Sequence, residues 1–249
     1  MSTLFDRINF AKSNHRKSLA ILVDPDKTPL ASCEKLALEA LDAAVDYFFV
    51  GSSILTHGDL DACVSVLKQN CNIPVLLFPG NILQISDKAD AILFLSLISG
   101  RNPDMLIGRH VISAPMLRQS GMEILPTGYM LIDSGTPTSV SYMSNTLPIP
   151  HDKDDIAVCT AMAGEMLGLK LMYLDAGSGA RFPVRSSMIS AVKASVNTPL
   201  IVGGGIRTPE KAVDICHSGA DIVVIGNAIE KNPALVGEMT AAVHATVFE

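Results

Sequence analysis

Eight short apolar runs recur along the 249 residues, and they restrict the possible folds more than any other feature of the chain. They cover residues 19–23, 46–50, 74–78, 91–96, 123–132, 170–174, 199–202 and 221–225. Each is nearly continuous in apolar character rather than alternating with polar residues, as parallel strands covered on both faces require. Amphipathic or turn-rich segments separate them, so strands and helices alternate. That pattern leaves a closed (β/α)8 barrel or an open doubly wound sheet. About 250 residues suit one barrel and are awkward for two independent domains. The expected class is therefore α/β, a single (β/α)8 TIM-barrel domain over residues 1–249.

Local signals sharpen this outline. Thr28-Pro29, Thr208-Pro209 and Asn232-Pro233 each set a capping oxygen before a proline, which predicts three helix starts. Over residues 208–220, Ala212, Val213, Ile215 and Cys216 share one face, and Gly219 closes the helix. Only about a dozen residues separate Phe78 from Ala91, too few for a helix with both its loops, so the third helix is expected to be short or absent. Residues 133–155, rich in Gly, Pro, Ser, Thr and Asn, form a long connection that reads as a lid or as a surface excursion.

Composition excludes several function classes. With 48% apolar residues the chain can bury a large core, which rules out a disordered segment. A net charge of −6, with 19 Lys and Arg, speaks against a nucleic-acid partner. The apolar runs have strand length, well short of the roughly 18 residues of a membrane span. Asp6, Arg7, Lys12 and Arg16 interrupt the N-terminus, so no signal peptide is expected. Cys33, Cys63, Cys71, Cys159 and Cys216 form no CxxC pair and read as buried thiols of a cytoplasmic protein.

Three stretches at strand ends carry chemistry: Tyr173-Leu174-Asp175-Ala176-Gly177-Ser178-Gly179, Val202-Gly203-Gly204-Gly205-Ile206-Arg207 and Ile225-Gly226-Asn227. Glycine lets backbone N–H groups approach an anion with no Cβ in the way, and a following helix N-terminus adds partial positive charge. Each loop alone is equally a tight strand-to-helix turn. Together, at successive strand ends, they match the phosphate site of (β/α)8 barrels. Asp24, first past strand one in Val23-Asp24-Pro25-Asp26-Lys27, aims a carboxylate at the same mouth, where Mg²⁺ is commonly held between carboxylates and substrate phosphates. Ser52 and Ser53 offer hydroxyls on that rim. His57, His110 and His151 fit no metal-ligand spacing and read as structural.

These residues resemble the geranylgeranylglyceryl phosphate synthase family, which includes bacterial heptaprenylglyceryl phosphate synthases. The resemblance rests on Asp24-Pro25-Asp26-Lys27, Val50-Gly51-Ser52-Ser53, Phe78-Pro79-Gly80-Asn81, residues 173–180, Gly203-Gly204-Gly205-Ile206 and Gly226-Asn227, and it spans nearly the whole chain. Residues 126–129 followed by the 133–155 excursion resemble the family's bacterial second group. The resemblance implies a modified barrel with irregular chain in place of helix three. It implies Mg²⁺-dependent transfer of a prenyl group, geranylgeranyl or a relative, from its diphosphate to the 3-hydroxyl of sn-glycerol 1-phosphate, in ether phospholipid synthesis. Asp24 and Ser53 match the metal positions. Tyr173, Leu174, Asp175, Ala176, Gly177, Ser178, Gly179, Gly204, Gly205, Gly226 and Asn227 match the glycerol-phosphate site. Asp175 stands where the family often has the Glu thought to take the hydroxyl proton, and Tyr173 is expected beside it. Members are generally homo-oligomers, so a dimer or hexamer is expected.

A prenyl tail needs an apolar groove, for which Met105, Leu106, Ile107, Met130, Ile132 and Met143 are candidates. Two other readings stay open at this point. One is a phosphosugar isomerase or synthase barrel, which would share the glycine loops and need no Mg²⁺. The other is a catalytically silent phosphate-binding barrel.

Overall fold

The computed structural model describes residues 3–246. All eight expected strands form: β1 Ser18–Val23, β2 Tyr47–Val50, β3 Val75–Leu77, β4 Ala91–Leu97, β5 Glu123–Leu131, β6 Leu171–Asp175, β7 Leu200–Gly203 and β8 Ile222–Ile225. They pair in parallel in sequence order, and β8 returns to β1 through Ser18 opposite Ile222, which closes the barrel.

Strand alternation divides the core in two. Tyr47, Phe49, Leu93, Leu125, Tyr129, Tyr173 and Ile201 fill the barrel interior. Their neighbours Phe48, Val50, Ile92, Met130, Met172, Leu174 and Val202 pack outward against the helices. Both faces are buried, which is why the strands read as continuous apolar runs. Helix α1, Leu4–Ser13, plugs the amino-terminal end. Its Ile8 joins the interior cluster, and the Glu123 carboxylate accepts the N–H groups of Leu4 and Phe5. The carboxyl-terminal mouth is left open.

The outer layer comprises α2 Leu30–Asp42, α3 Leu60–Asn70, α4 Arg109–Ser120, α6 Asp154–Met166, α7 Ser186–Ser195, α8 Pro209–His217 and α10 Leu235–His244, with short α5 Ser139–Ser144 and α9 Asn227–Lys231. No helix links β3 to β4, as the short interval required. A π-helical turn, Asp104–Gly108, leads into α4. Thr208 caps α8 through the Lys211 N–H, with Pro209 at its first turn, and Gly219 turns the chain out at φ +119°.

The other two expected caps do not form. The N–H groups of Lys27 and Thr28 both donate to the Asp24 carbonyl, so Thr28 belongs to a turn and Pro29 takes the cap position of α2 without a side-chain bond. After Asn232, Leu235 and Val236 donate to the carbonyls of Asn232 and Pro233, and α10 starts only at Leu235. The thiols also depart from expectation, since Cys159 is exposed and Cys71 is half-buried. The 133–155 excursion is folded: Ile132 bridges Ile149, Thr138 caps α5, and α5 lies over the barrel mouth. Among the described residues no helix is long and apolar enough to cross a membrane.

Candidate active site

The site forms where strand parity and register converge. Register sets Tyr129 of β5 opposite Tyr173 of β6, and Leu131 opposite Asp175. The Tyr129 hydroxyl donates to Asp175 Oδ2 at 2.6 Å, and the Gly177 N–H donates to Oδ1 at 2.7 Å. Tyr173 stacks on Phe78 at 5.3 Å and meets Tyr129 edge-on at 5.4 Å, so three rings form a floor beneath the carboxylate. Burial raises the pKa of Asp175, against the opposing pull of the bonds from Tyr129 and Gly177. Burial and the Asp175 charge hold the Tyr129 hydroxyl well above its ordinary range, so it stays a neutral donor.

Next to this carboxylate the glycine loops close in. Gly177, Gly179, Gly204 and Gly205 all have positive φ, between +72° and +88°. A Cβ on Gly204 would lie 2.7 Å from the Gly177 nitrogen and 2.8 Å from Asp175 Oδ1, so glycine alone allows the loops after β6 and β7 to touch. The Gly177 N–H serves Asp175, whereas those of Gly204 and Gly205 have no backbone partner among the described residues. Ser178 Oγ donates to Asn227 Oδ1 at 3.0 Å, joining the loop after β6 to the start of α9. Unpaired N–H groups and a helix start facing one cavity make an anion cradle. Gly226 and Asn227 line that cavity; Leu174 and Ala176 instead pack into the outer layer.

Beside the β8 loop, at the end of β1, the two aspartates of the first loop take different roles. Asp26 Oδ1 accepts the N–H groups of His57 and Gly58, and Oδ2 accepts the N–H and hydroxyl of Thr56. Burial works to raise its pKa, but these backbone donors outweigh it and hold the carboxyl below the usual range. Asp26 therefore fastens the loop before α3. Asp24 is 6% exposed, lines the cavity, and accepts from Lys27 Nζ at 2.8 Å and Ser52 Oγ at 3.2 Å. Ser53 also lines the cavity, but the hydroxyl that meets Asp24 is that of Ser52.

Beyond the polar end, the cavity of about 760 Å³ extends among β4, α4 and the irregular chain between β3 and β4. Of the expected groove residues, Met105 and Met143 line it. Met130 and Ile132 face the outer helices because their strand parity is opposite to that of Tyr129, and Ile107 is exposed on the π-helical turn before α4. The groove is built instead from Ile82, Ile85, Phe94, Leu117 and Val140. His110 lies in its wall, edge-on to Phe94 at 4.2 Å. Gln84, 1% exposed, stitches the strand-two and strand-three loops together: its Oε1 accepts from Ser52 N and Gly80 N, and its Nε2 donates to the Ser52 carbonyl. Tyr129 and Gln84 are the site residues the linear sequence did not single out, and Ser52, named there only as a rim hydroxyl, is the one that meets Asp24.

A closed parallel barrel with an anion cradle at the ends of β6, β7 and β8, a buried carboxylate beside it and an apolar groove beyond defines a phosphate-binding (β/α)8-barrel enzyme. Residues 12–247 match the PcrB family, to which the chain belongs. It is 58% identical to the geranylgeranylglyceryl phosphate synthase of Chitinophaga pinensis, over 94% of this chain and 93% of that one. With the enzyme of the same name from Korarchaeum cryptofilum it shares 40% identity, over 87% and 88% of the two chains. The crystal structure of (S)-3-O-geranylgeranylglyceryl phosphate synthase from Thermoplasma acidophilum, in complex with its substrate sn-glycerol-1-phosphate, superposes with a TM-score of 0.92 at 32% identity, covering 98% of this chain and 99% of that one. A tryptophan synthase α subunit from Legionella pneumophila, at 16% identity and a TM-score of 0.61, shares the fold alone.

Proposed function

We propose that this chain transfers a geranylgeranyl group from its diphosphate to the 3-hydroxyl of sn-glycerol 1-phosphate, a step of ether phospholipid synthesis. The observation that carries the reading is the polarity of one continuous cavity, with the glycine loops and the carboxylates of Asp24 and Asp175 among those at one end and Phe94, Ile85 and Leu117 at the other. An acceptor with a phosphate and a donor with a hydrocarbon tail are the pair such a cavity fits. The names of the PcrB-family relatives favour this reading over a phosphosugar isomerase or a silent phosphate-binding barrel.

In this reading the loops after β6, β7 and β8 hold the glycerol phosphate and orient its hydroxyl toward the allylic carbon. A bond forms from the glycerol oxygen to that carbon. The bond from carbon to diphosphate oxygen breaks with its electron pair going to diphosphate, and the hydroxyl proton passes to Asp175. The raised pKa of Asp175 suits a proton acceptor. Tyr129 keeps the carboxylate oriented, and Phe78 with Tyr173 walls off water.

Asp24 is a buried carboxylate with a hydroxyl 3.2 Å away, and among the described residues no three His, Cys, Asp or Glu side chains are placed to hold a metal ion by themselves. That donor set suits Mg²⁺, which takes one or two carboxylates and completes its shell from substrate phosphates and water. When bound beside Asp24 with Ser52 and Ser53, Mg²⁺ would neutralise charge developing on the diphosphate. We also propose a homo-oligomer, dimer or hexamer, supported by the exposed Ile107, Val111, Ile112 and Met116 on the outer side of α4 and the turn before it.

The test is to offer the purified protein sn-glycerol 1-phosphate and geranylgeranyl diphosphate with and without Mg²⁺, and to follow diphosphate release and the ether product. Mg²⁺-dependent release with sn-glycerol 1-phosphate and not with its enantiomer is expected. Absence of an ether product would overturn the reading, and light scattering of the same sample reads the oligomer.

A further inference from the structure

The groove has a back wall, and one residue forms its thinnest point. The main cavity descends from the mouth along α4 as far as Leu117 and Ile92, near the amino-terminal end of β4. Behind it lies a solvent-open depression of about 440 Å³, lined by Asp61, Ser86, Asp87, Met116, Gln119 and Ser120, of which Asp61, Asp87, Met116 and Gln119 are exposed. Among the described residues only Ile85 lines both. Its position is set firmly on either side. Gln84 is held by its bonds to Ser52 and Gly80, and Ser86 is 2% exposed, with its carbonyl accepting from Ala89 N. The Ile85 side chain is thus a partition carried by the irregular chain that replaces the third helix.

The two sides differ in chemistry. On the groove side Ile85 meets apolar residues. On the far side stand two carboxylates, two hydroxyls and an amide beside the single thioether of Met116, and Ser86 Oγ is buried there with no protein partner. A hydrocarbon passing the partition would strip water from these groups without replacing their hydrogen bonds, which is unfavourable. Steric block and polar backing act in the same direction.

We propose that Ile85 is the specificity-determining residue that ends the prenyl groove and sets the longest tail the enzyme accepts. This rests on the proposed prenyl transfer, and its test separates the two. Initial rates with saturating sn-glycerol 1-phosphate would be measured for farnesyl, geranylgeranyl and geranylfarnesyl diphosphates, on the full-length protein and on Ile85→Ala and Ile85→Phe. A single methylene in an apolar pocket discriminates by about 10–200-fold. Ile85→Ala should therefore raise kcat/KM for geranylfarnesyl relative to geranylgeranyl diphosphate by at least about tenfold. Ile85→Phe should lower geranylgeranyl relative to farnesyl diphosphate by a similar factor. The wild-type rate serves as the check on the parent reading: no turnover with any of the three substrates ends prenyl transfer and takes this inference with it. An active wild type whose chain-length ratios stay the same in either soluble variant overturns the role of Ile85 alone. Should Ile85→Ala prove insoluble, Ile85→Val and Ile85→Phe give the same opposed shifts to compare.

Discussion

The Tyr129 hydroxyl lies 2.6 Å from Asp175 Oδ2, and both groups are buried on neighbouring strands above a floor of aromatic rings. The bond lowers the affinity of Asp175 for a proton while burial raises it, so the two residues together set where the carboxylate titrates. The acid limb of kcat/KM should therefore lie above the ordinary Asp value of 3.8. Tyr129→Phe removes the opposing bond, so the limb should move further up in pH while kcat falls. A pH–rate profile in which Tyr129→Phe leaves the limb in place would show that the tyrosine does not act through Asp175.

Replacing Asp175 separates chemistry from binding. General bases contribute typically about 10²–10⁴-fold, so Asp175→Asn should lower kcat by that order, and Asp175→Glu should retain activity. A wild-type kcat with a raised KM in the Asn variant would make Asp175 a binding residue.

The same variant should alter stability with a definite sign. The folded pKa of Asp175 is raised, so the native state binds more protons than the unfolded chain between the ordinary value of 3.8 and the folded value. Its favourable contribution is full below that window and is lost as pH rises through it. Asp175→Asn carries no such loss, so its Tm relative to wild type should increase from pH 4 to pH 7. Thermal melts at the two pH values check this, and a constant difference would contradict it.

The two loop aspartates should fail in different ways. Asp24→Asn is expected to abolish Mg²⁺-dependent turnover and leave glycerol phosphate binding largely intact, since the partners of Asp24 are Lys27 and Ser52 and not the glycine loops after β6 and β7. Asp26→Asn removes acceptor capacity from a carboxylate that takes four donors around Thr56, His57 and Gly58. Because the Asp26 pKa is depressed, its contribution is present above the ordinary carboxylate value and lost as pH falls through the folded one. Its loss should lower Tm at neutral pH and have little effect in strong acid. Calorimetry and equilibrium dialysis of the two variants distinguish these outcomes.

Gly204→Val should eliminate glycerol phosphate binding at nearly unchanged secondary structure. The added side chain enters a backbone region with φ +87° and meets the Gly177 nitrogen and Asp175 Oδ1 within 2.8 Å. Isothermal titration with sn-glycerol 1-phosphate reads the effect, and wild-type affinity would reduce the triple glycine to a turn.

Much of this architecture was written locally in the chain. Eight continuous apolar runs can only be strands buried on both faces, and the interval from Phe78 to Ala91 is too short for a helix whatever surrounds it. Gly203-Gly204-Gly205 directly after an apolar run reads as a strand-end turn, and Thr208 caps α8 through an N–H three residues away. Each of these requirements spans only a few residues, so the sequence states it without reference to distant chain.

The remainder depended on closure of the barrel. Register between β5 and β6 decided that Tyr129 meets Asp175, 46 residues distant, and strand parity turned Met130 and Ile132 away from the groove. Approach of the loops after β2 and β3 selected Ser52 over Ser53 as the hydroxyl on Asp24 and buried Gln84 between them. Asp24 and Asp26, two residues apart, look alike in sequence and both line the cavity; only the packing of the Thr56–Gly58 backbone against Asp26 committed its oxygens to structure and left Asp24 with Lys27 and Ser52 as partners. The sequence by itself determined which elements form and where an anion can approach the backbone. Which side chains meet was settled by stagger and closure, because a one-residue shift in parallel register reverses every inward and outward face at once.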